Sequence, residues 1–329
     1  MSKPITVVGA GLAGCTLAWH LLGRGVSFTL IEDRPEAAGS LAAAGMLCPV
    51  TGKAFNPSWR IEEFYDPALR FYGAIEETLG AQLWYDYPVV RPFFDAKDRR
   101  KFQKKREERP ALFRWVQEVV DEVPHAQAEH GAVIWAGSGR LNVRAYVERS
   151  RSYFASQGLY EERAVQGADQ LKVYTTGARG LVDQNPVALP HRSAKGEILK
   201  VKVPGLNQEQ ILSRGTWCVP TGEEAETFLV GANYDWDDLS NTPTAQGRET
   251  VEKGLQTLIT LPYEVVGHVA GVRPIVRRSE PVIGSLDAQT YYLNGLGSKG
   301  TLYAPRVAEI LLAHLLDQSE VPDYLQMEL

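Results

Sequence analysis

The sequence predicts an α/β protein, α+β overall, with a mostly parallel sheet in one domain and an antiparallel sheet with helices in a second. Three observations support this fold. The first 32 residues follow the order strand, glycine-rich turn, apolar helix, strand. Glycine-rich turns return after two later strands, and short alternating segments lie between them. A chain of 329 residues has room for about two domains of ordinary size.

Composition argues against several classes of function. The formal net charge of −5 gives no global positive field, so we expect neither nucleic acid nor a membrane surface as a partner. The cysteines Cys15, Cys48 and Cys218 are far apart and form no C-x-x-C motif, which favours reduced thiols over disulfides or a zinc site. We find no signal peptide and no apolar run of transmembrane length, and we expect a cytoplasmic location.

The βαβ unit at the start of the chain is the strongest motif. A strand from Ile5 leads into Gly9-Ala10-Gly11-Leu12-Ala13-Gly14, a helical pattern follows, and the second strand ends at Glu32-Asp33. In such a turn the first glycine permits the tight bend, the second lets the backbone approach a pyrophosphate, and the third lets helix and strand pack closely. The helix amino end favours phosphate, and Glu32 is placed to bind ribose hydroxyls. The unit predicts an adenine dinucleotide site, and a glycine turn without a nucleotide is the alternative.

Two later turns favour a flavin over a nicotinamide. The strand from Leu171 ends in Thr176-Gly177-Ala178. The strand from Tyr291 ends in Asn294-Gly295-Leu296-Gly297-Ser298-Lys299-Gly300, and an amphipathic helix from Ala304 to Leu316 follows. A helix that starts beside such glycines can direct its positive end at N1 and the C2 carbonyl of a flavin, where negative charge collects on reduction. The sequence therefore predicts FAD.

The order of these motifs resembles the D-amino-acid oxidase superfamily over most of the chain. The matching segments are Gly9 to Glu32, Ala42-Ala43-Ala44-Gly45-Met46, Thr176-Gly177-Ala178, Lys195-Gly196-Glu197, Ala270-Gly271-Val272-Arg273-Pro274, Pro281-Val282-Ile283-Gly284 and the last glycine turn. Within the superfamily the sequence is most similar to glycine and sarcosine oxidases. The last turn also resembles the oxidase half of the bifunctional tRNA wobble-uridine modification enzyme. The resemblance implies a two-dinucleotide-binding-type FAD domain and the oxidation of a small amine or amino acid.

Two segments depart from the superfamily pattern. Between Phe154 and Leu171 the chain has a short link where relatives carry a longer β-meander that contacts the adenine, and Val165 is our candidate for that backbone contact. After Arg273-Pro274 relatives usually have an aspartate, whereas this chain has Arg277-Arg278. We expect that difference to change the polarity of the substrate site or of the surface.

The resemblance implies roles for individual residues. Arg273 matches the position that binds the substrate carboxylate, for which a planar guanidinium is suited, with a structural ion pair as the alternative. Lys299 could place a cation near N1 and the C2 carbonyl, or could face solvent. Tyr234, with Trp217 and Trp236, could wall the site or belong to the core. The implied cofactor contacts are Gly9, Gly11, Leu12, Ala13, Gly14, Glu32, Asp33, Ala44, Gly45, Met46, Val165, Thr176, Gly177, Arg273, Gly295, Gly297, Ser298, Lys299, Gly300 and Thr301.

The motifs interleave, so we predict discontinuous domains. Residues 1–85, 140–196 and 268–329 form the FAD-binding domain, and residues 86–139 and 197–267 form the substrate domain. Antiparallel strands are predicted at Glu197 to Val203, Ile211 to Val219 and Phe228 to Tyr234. The basic run from Asp95 to Arg109 predicts a helix, which we interpret as a solvated face in preference to a nucleic-acid patch.

Three functions are open at this point. The first is an oxidase that acts on a small amine or amino acid, uses oxygen, and yields hydrogen peroxide and an imine. The second is a dehydrogenase of the same fold that passes electrons to a quinone or a carrier protein, and the third is an oxidase of a modified tRNA base. No cysteine lies in the last glycine turn, where covalent relatives attach the flavin, so we expect non-covalent FAD. The sequence does not indicate an oligomeric state.

Overall fold

The computed structural model describes residues 4–35, 39–166, 170–276 and 280–326. The helices are α1 (Leu12–Gly23), α2 (Ile61–Leu79), α3 (Ala96–Glu108), α4 (Val143–Ser156), α5 (Gly177–Val182), α6 (Ala245–Gln256) and α7 (Gly300–Asp317). The strands are β1 (Ile5–Val8), β2 (Phe28–Glu32), β3 (Met46–Leu47), β4 (Val50–Thr51), β5 (Asn56–Pro57), β6 (Trp84–Asp86), β7 (Val89–Pro92), β8 (Val116–Val120), β9 (Ala132–Trp135), β10 (Gly139–Leu141), β11 (Tyr160–Glu162), β12 (Lys172–Tyr174), β13 (Ala194–Lys202), β14 (Ile211–Arg214), β15 (Thr216–Pro220), β16 (Thr227–Gly231), β17 (Glu264–Arg273), β18 (Val282–Asp287) and β19 (Thr290–Asn294).

A six-stranded sheet carries the glycine-rich turns. Its strand order is β11-β2-β1-β12-β19-β18, and neighbouring strands run parallel except for β18 and β19. The central strands are β-branched and aliphatic, and Val7, Leu30 and Val173 are fully buried because helices cover the sheet. The three glycine-rich turns follow β1, β12 and β19, which are neighbours in this sheet. The mostly parallel sheet predicted for this domain is confirmed.

An eight-stranded sheet forms the other half of the molecule. Its order is β17-β13-β16-β15-β14-β7-β9-β8, and the pairs are antiparallel except for β14 with β7. Apolar side chains of alternating residues, such as Leu199 and Val230, pack with Leu255 of α6 on one side of the sheet. The predicted antiparallel sheet with helices is therefore confirmed.

The structure corrects one predicted strand and confirms the predicted basic helix. The segment from Ile211 to Val219 is not a single strand, because the chain turns at Gly215, where φ is +82°, and β14 and β15 pair as a hairpin. The basic run forms α3, whose first turn is capped by the side chain of Asp95 accepting a hydrogen bond from the amide of Asp98.

Two long strands join the halves of the molecule. Strands β13 and β17 pair from Ala194 with Arg273 to Lys202 with Glu264, with one register shift between Lys200 and Val201, and both strands continue through the positions where the predicted domain boundaries fall, 196/197 and 267/268. The division into domains stays a prediction. In the part of the chain that the structure describes, no helix is both long and apolar enough to cross a membrane.

Candidate active site

One cavity of about 730 Å³ lies between the two sheets, and we call it the central cavity. Its walls come from the turn after β1, the segment 39–55, the turn after β12, the strands β13, β14 and β15, the end of β17, and the turn after β19. Cofactor and substrate cavities commonly have volumes of roughly 300–1,000 Å³. The three glycine-rich turns thus meet in one cavity that also reaches the antiparallel sheet.

The turn between β1 and α1 is shaped by close backbone contacts. A Cβ atom on Gly14 would lie 1.8 Å from the carbonyl oxygen of Gly9, so this position admits no side chain. Gly9 has a φ of +101°, and the hydroxyl of Thr175 donates to its carbonyl oxygen at 2.7 Å. Gly11 lines the central cavity, and a Cβ there would lie 3.2 Å from the hydroxyl of Ser40. Gly14 serves helix packing, whereas Gly11 faces the cavity.

Glu32 lies at the end of β2 beside this turn. It is 5% exposed, lines the cavity, and accepts a hydrogen bond from the amide of Ala10 at 2.9 Å. Arg151 and Arg179 place guanidinium nitrogens 3.9 and 3.4 Å from its carboxylate oxygens. Arg151 also donates from Nε to the carbonyl oxygen of Ala10 at 2.8 Å. The two arginines balance the charge of Glu32 and hold the turn, a role that sequence analysis missed.

The cavity wall beside Glu32 is where the adenine contact is predicted, and that contact stays a prediction. Val165 is not among the residues that line the cavity. The lining there includes Arg34, Arg179 and Val182, two of which belong to the short helix α5. Between β11 and β12 the described residues contain no further strand, in agreement with the short link noted in the sequence.

Lys299 lies in the last glycine turn, immediately before α7. Its Nζ donates to the hydroxyls of Thr51 and Ser58, both at 3.1 Å, and burial lowers the pKa of the lysine. The side chain lines the central cavity and does not extend into solvent. The alternative of a solvent-facing lysine is therefore wrong.

Arg273 ends β17 and lines the same cavity. Its Nη1 donates to the carbonyl oxygens of Lys195 and Asn233, each at 3.2 Å, and its guanidinium lies over Gly196, where a Cβ would approach it to 2.2 Å. Burial lowers the pKa of Arg273, which nevertheless carries its charge at neutral pH. Arg273 forms no ion pair with any acidic residue that the structure describes, so the alternative of a structural ion pair is not observed.

Aromatic side chains lie beside Arg273 in the wall of the central cavity. The guanidinium of Arg273 lies 4.1 Å from the ring centroid of Tyr234, a cation–π contact. Tyr234 is 48% exposed and stacks on Trp236 with centroids 5.7 Å apart. Tyr234 and Trp217 line the cavity, whereas Trp236 does not. Two of the three predicted aromatic residues therefore form its wall.

Most of the predicted site residues meet in this cavity. The exceptions are Gly14, Asp33, Val165 and Gly295, which do not line it. Asp33 pairs instead with Arg179. Gly295 faces Val276, whose side chain a Cβ would approach to 2.8 Å. Arg277 and Arg278 lie outside the described residues. The predicted residues that line the cavity are Gly9, Gly11, Leu12, Ala13, Glu32, Ala44, Gly45, Met46, Thr176, Gly177, Tyr234, Arg273, Gly297, Ser298, Lys299, Gly300 and Thr301.

Comparison with known proteins places this geometry in a family. The chain is 23% identical over 347 residues to the tRNA 5-methylaminomethyl-2-thiouridine biosynthesis bifunctional protein MnmC of Idiomarina loihiensis, which covers 95% of this chain and 55% of that protein. It is 25% identical over 358 residues to a glycine oxidase of Pseudomonas aeruginosa, with 97% and 96% covered. The chain thus spans about half the length of the first relative and nearly all of the second.

The fold and the family model agree with these relatives. The crystal structure of iminodiacetate oxidase from Chelativorans sp. BNC1 superposes with a TM-score of 0.78 at 20% identity, covering 99% of this chain and 100% of that one. The family model described as DAO, FAD dependent oxidoreductase, matches residues 4–314. Because this match includes all three glycine-rich turns and both sheets, the chain belongs to the DAO family of FAD-dependent oxidoreductases.

Proposed function

We propose that this enzyme uses non-covalently bound FAD to oxidise a small amine or amino acid to an imine, with oxygen as the acceptor. The substrate loses two electrons and two protons, and oxygen gains them as hydrogen peroxide. One observation carries the proposal: Arg273 lines the same cavity as the glycine turns and has no acidic partner among the described residues. A partly buried cation without an acidic partner favours an anionic ligand.

The residues of the central cavity fit FAD. At the β1–α1 turn, Gly11 brings bare backbone to the cavity wall beside the amino end of α1, which suits a pyrophosphate. The carboxylate of Glu32 lies next to that turn and suits ribose hydroxyls. When bound, FAD supplies the electron acceptor for the substrate's Cα–H hydride equivalent at its N5 atom.

A non-covalent attachment is supported by the position and state of the thiols. Cys48 is the cysteine that lines the cavity, and it is buried, with its Sγ donating to the carbonyl oxygen of Val50 at 2.9 Å. Burial raises the pKa of this thiol, which disfavours the nucleophilic thiolate. Cys15 and Cys218 are fully buried elsewhere.

Arg273 would bind and orient the substrate carboxylate. Both of its hydrogen bonds to described residues come from Nη1, and the Tyr234 ring covers the guanidinium. These contacts fix the plane of the fork, and a fixed fork determines where the substrate Cα lies. Positioning of this kind can contribute several kcal/mol to catalysis.

Lys299 is the candidate cation for the reduced cofactor. Its ammonium group is held inside the cavity by two neutral hydroxyls, those of Thr51 and Ser58, and among the described residues its charge has no carboxylate partner. A positive charge in a poorly solvated site stabilises negative charge that develops on a neighbouring group. The apolar wall formed by Ile198 and Trp217 limits access of water to the same space.

The named relatives support this class of substrate. One is a glycine oxidase, and the fold matches an iminodiacetate oxidase. The decisive experiment is an anaerobic screen of amines and amino acids for bleaching of the flavin in the purified protein. We expect at least one small amino acid or secondary amine to bleach it. Bleaching by none, with a hydroxy acid or an alcohol as the effective reductant, would contradict the proposal.

The electron acceptor is tested on the same reduced enzyme. We expect rapid reoxidation by air in a stopped-flow instrument, with one hydrogen peroxide formed per flavin. Slow reoxidation by air with fast reoxidation by a soluble quinone would show the dehydrogenase alternative instead.

A modified tRNA base is the second candidate substrate. The observation in its favour is the similarity to the tRNA-modifying protein of I. loihiensis. If it is the substrate, tRNA that carries an amine-modified uridine should bleach the flavin, whereas free amino acids should not. The reverse result would support the small-molecule proposal.

A further inference from the structure

Three cationic side chains surround one aromatic ring at the wall of the central cavity. The Nζ of Lys53 and the guanidinium carbons of Arg91 and Arg214 lie 5.3, 5.6 and 5.8 Å from the ring centroid of Phe94. All four residues line the cavity, and Phe94 is 41% exposed. We call this group the Phe94 cluster.

Nearby acidic groups neutralise only part of the cluster. Arg91 pairs with Asp98 at 2.8 Å. Arg214 donates to neutral backbone oxygens, those of Gln127 at 2.6 Å and of Thr257. Neither Arg214 nor Lys53 forms an ion pair with an acidic residue in the described ranges. Two of the three charges therefore lack a contacting anion, although cation–π contact with Phe94 offsets part of the cost.

The surroundings add to the positive charge. The ammonium group of Lys101 on α3 donates to the carbonyl oxygen of Lys53 at 3.1 Å, and that of Lys105 donates to the carbonyl oxygen of Ala54. Burial lowers the pKa of Arg214, and the like charge of Arg91 adds to this effect while Glu129 opposes it. An anionic ligand would favour the charged forms of the cluster.

The Phe94 cluster is separated from Arg273 by the width of several strands. Arg273 ends β17 and Arg214 ends β14, and the strand order between them is β17-β13-β16-β15-β14. Four steps of about 4.8 Å place these strands roughly 19 Å apart. Residues of the strands between them, such as Ile198 and Trp217, line the cavity, so it is continuous and partly apolar along this path.

We propose that the Phe94 cluster binds a second anionic group of the substrate, whose first carboxylate is bound by Arg273. This inference rests on the proposed function and narrows its substrate class to amines that carry two acid groups joined by an extended, partly apolar chain. The guanidinium of Arg273 lies over Gly196 of the neighbouring strand β13, so the required separation of the acid groups is shorter than that of the strands β17 and β14.

The test uses dicarboxylates without an amine, so that binding is measured apart from oxidation. Adipate, sebacate and dodecanedioate are titrated into the FAD-loaded enzyme, each beside the monocarboxylate of the same chain length, and binding is followed by the change in flavin absorbance. We expect the best dicarboxylate to bind about tenfold more tightly than its monocarboxylate, and the advantage to shrink at high ionic strength.

Variants locate the second anion. Lys53→Ala should remove most of the affinity advantage of the dicarboxylate over the monocarboxylate. Lys53→Arg should keep that advantage, and Arg214→Lys should reduce it. Lys104→Ala, on the exposed part of α3 where Lys104 pairs with Glu108, is the matched control and should leave it unchanged. Equal affinities of dicarboxylate and monocarboxylate, failure of both to bind, or an advantage that persists in Lys53→Ala would overturn the inference.

Two further results separate this inference from its alternatives. If dicarboxylates bind with a Lys53-dependent advantage but no amine bleaches the flavin, the anion site stands and the proposed oxidation fails. If tRNA binds in a Lys53-dependent manner and dicarboxylates do not, the cluster receives RNA phosphate, and the small diacid substrate is wrong.

Discussion

The two ends of the central cavity are built in different ways. At the nucleotide end, backbone atoms pack so closely that a Cβ on Gly14 would lie 1.8 Å from the carbonyl oxygen of Gly9. At the other end, the proposed substrate end, side chains such as Arg273 and Trp217 project from strands far apart in sequence. Gly14 therefore tolerates no added atoms, whereas the proposed substrate end can change its chemistry while the fold persists.

The largest effect is expected at Gly14. Gly14→Ala forces the turn and α1 apart, and we expect a loss of about 3 kcal/mol or more of folding free energy, measured by urea unfolding. Gly23→Ala in the last turn of the same helix is the control, because no atom lies within 4 Å of its added Cβ. It should leave stability unchanged or raise it by up to about 1 kcal/mol. Similar losses at both positions would contradict the packing role of Gly14.

Substitution of Gly11 should abolish cofactor binding without affecting folding. Its added Cβ would meet only the Ser40 side chain, at 3.2 Å for the nearest atom, so Gly11→Val should fold with a circular dichroism spectrum like that of the wild type. The valine side chain occupies cavity space at the predicted pyrophosphate position, and the purified variant should be colourless. A yellow variant with the normal flavin content would remove this turn from the cofactor site.

Substitution of Lys299 tests how its positive charge affects the midpoint potential of the flavin. Lys299→Met should lower the flavin midpoint potential by on the order of 30 mV, which corresponds to about 1.4 kcal/mol for two electrons. Lys104→Met is the matched control and should not shift it. Because burial lowers the pKa of Lys299, the wild-type lysine loses its proton below the ordinary lysine range. The difference between wild type and Lys299→Met should therefore vanish as pH rises through that lowered pKa.

The same lysine affects stability with a defined sign. In the unfolded chain Lys299 has its ordinary, higher pKa, so the unfolded state binds more protons in the window between the two values. Stability contributed by this group should rise with pH across that window, and Lys299→Met should lack the rise. A difference in flavin midpoint potential between wild type and Lys299→Met that is independent of pH would contradict a titrating lysine beside the flavin.

The smallest effect on the native enzyme is expected from a reagent that modifies its thiols. Cys48 is buried, and burial raises the pKa of Cys15 to about 12, so native enzyme should react with a thiol reagent far more slowly than urea-unfolded enzyme.

Acid precipitation should release all the flavin into the supernatant. Colour that stays in the pellet would show a covalent bond.

The sequence was informative where function depends on consecutive residues. The glycine spacing and Glu32 predicted the nucleotide end, because a turn and the strand beside it are local. Arg151 and Arg179 were missed because they reach Glu32 from α4 and α5, with no signal near the turn. The predicted strand through Gly215 overlooked a hairpin, since its two halves share one apolar pattern.

The substrate end was predicted only in part. The resemblance identified Arg273, but nothing in the sequence indicated that carbonyl oxygens of Lys195 and Asn233 hold it. The charges of α3 were interpreted as a solvated face, and the structure shows that Lys101 contacts the loop that carries Lys53. Such contacts depend on strand order and loop packing, which local patterns do not encode.

Flavin reduction by the Arg273→Lys variant is the most direct test of the central claim. Lysine keeps the charge but lacks the fork, and a misplacement of about 1 Å can cost on the order of a hundredfold in rate. An amino acid that reduces the wild-type flavin and the amine left by its decarboxylation are compared anaerobically in wild type and variant. We predict a loss of about a hundredfold for the amino acid, little change for the amine, and unchanged FAD content. Equal losses for both compounds would contradict binding of a substrate carboxylate by Arg273.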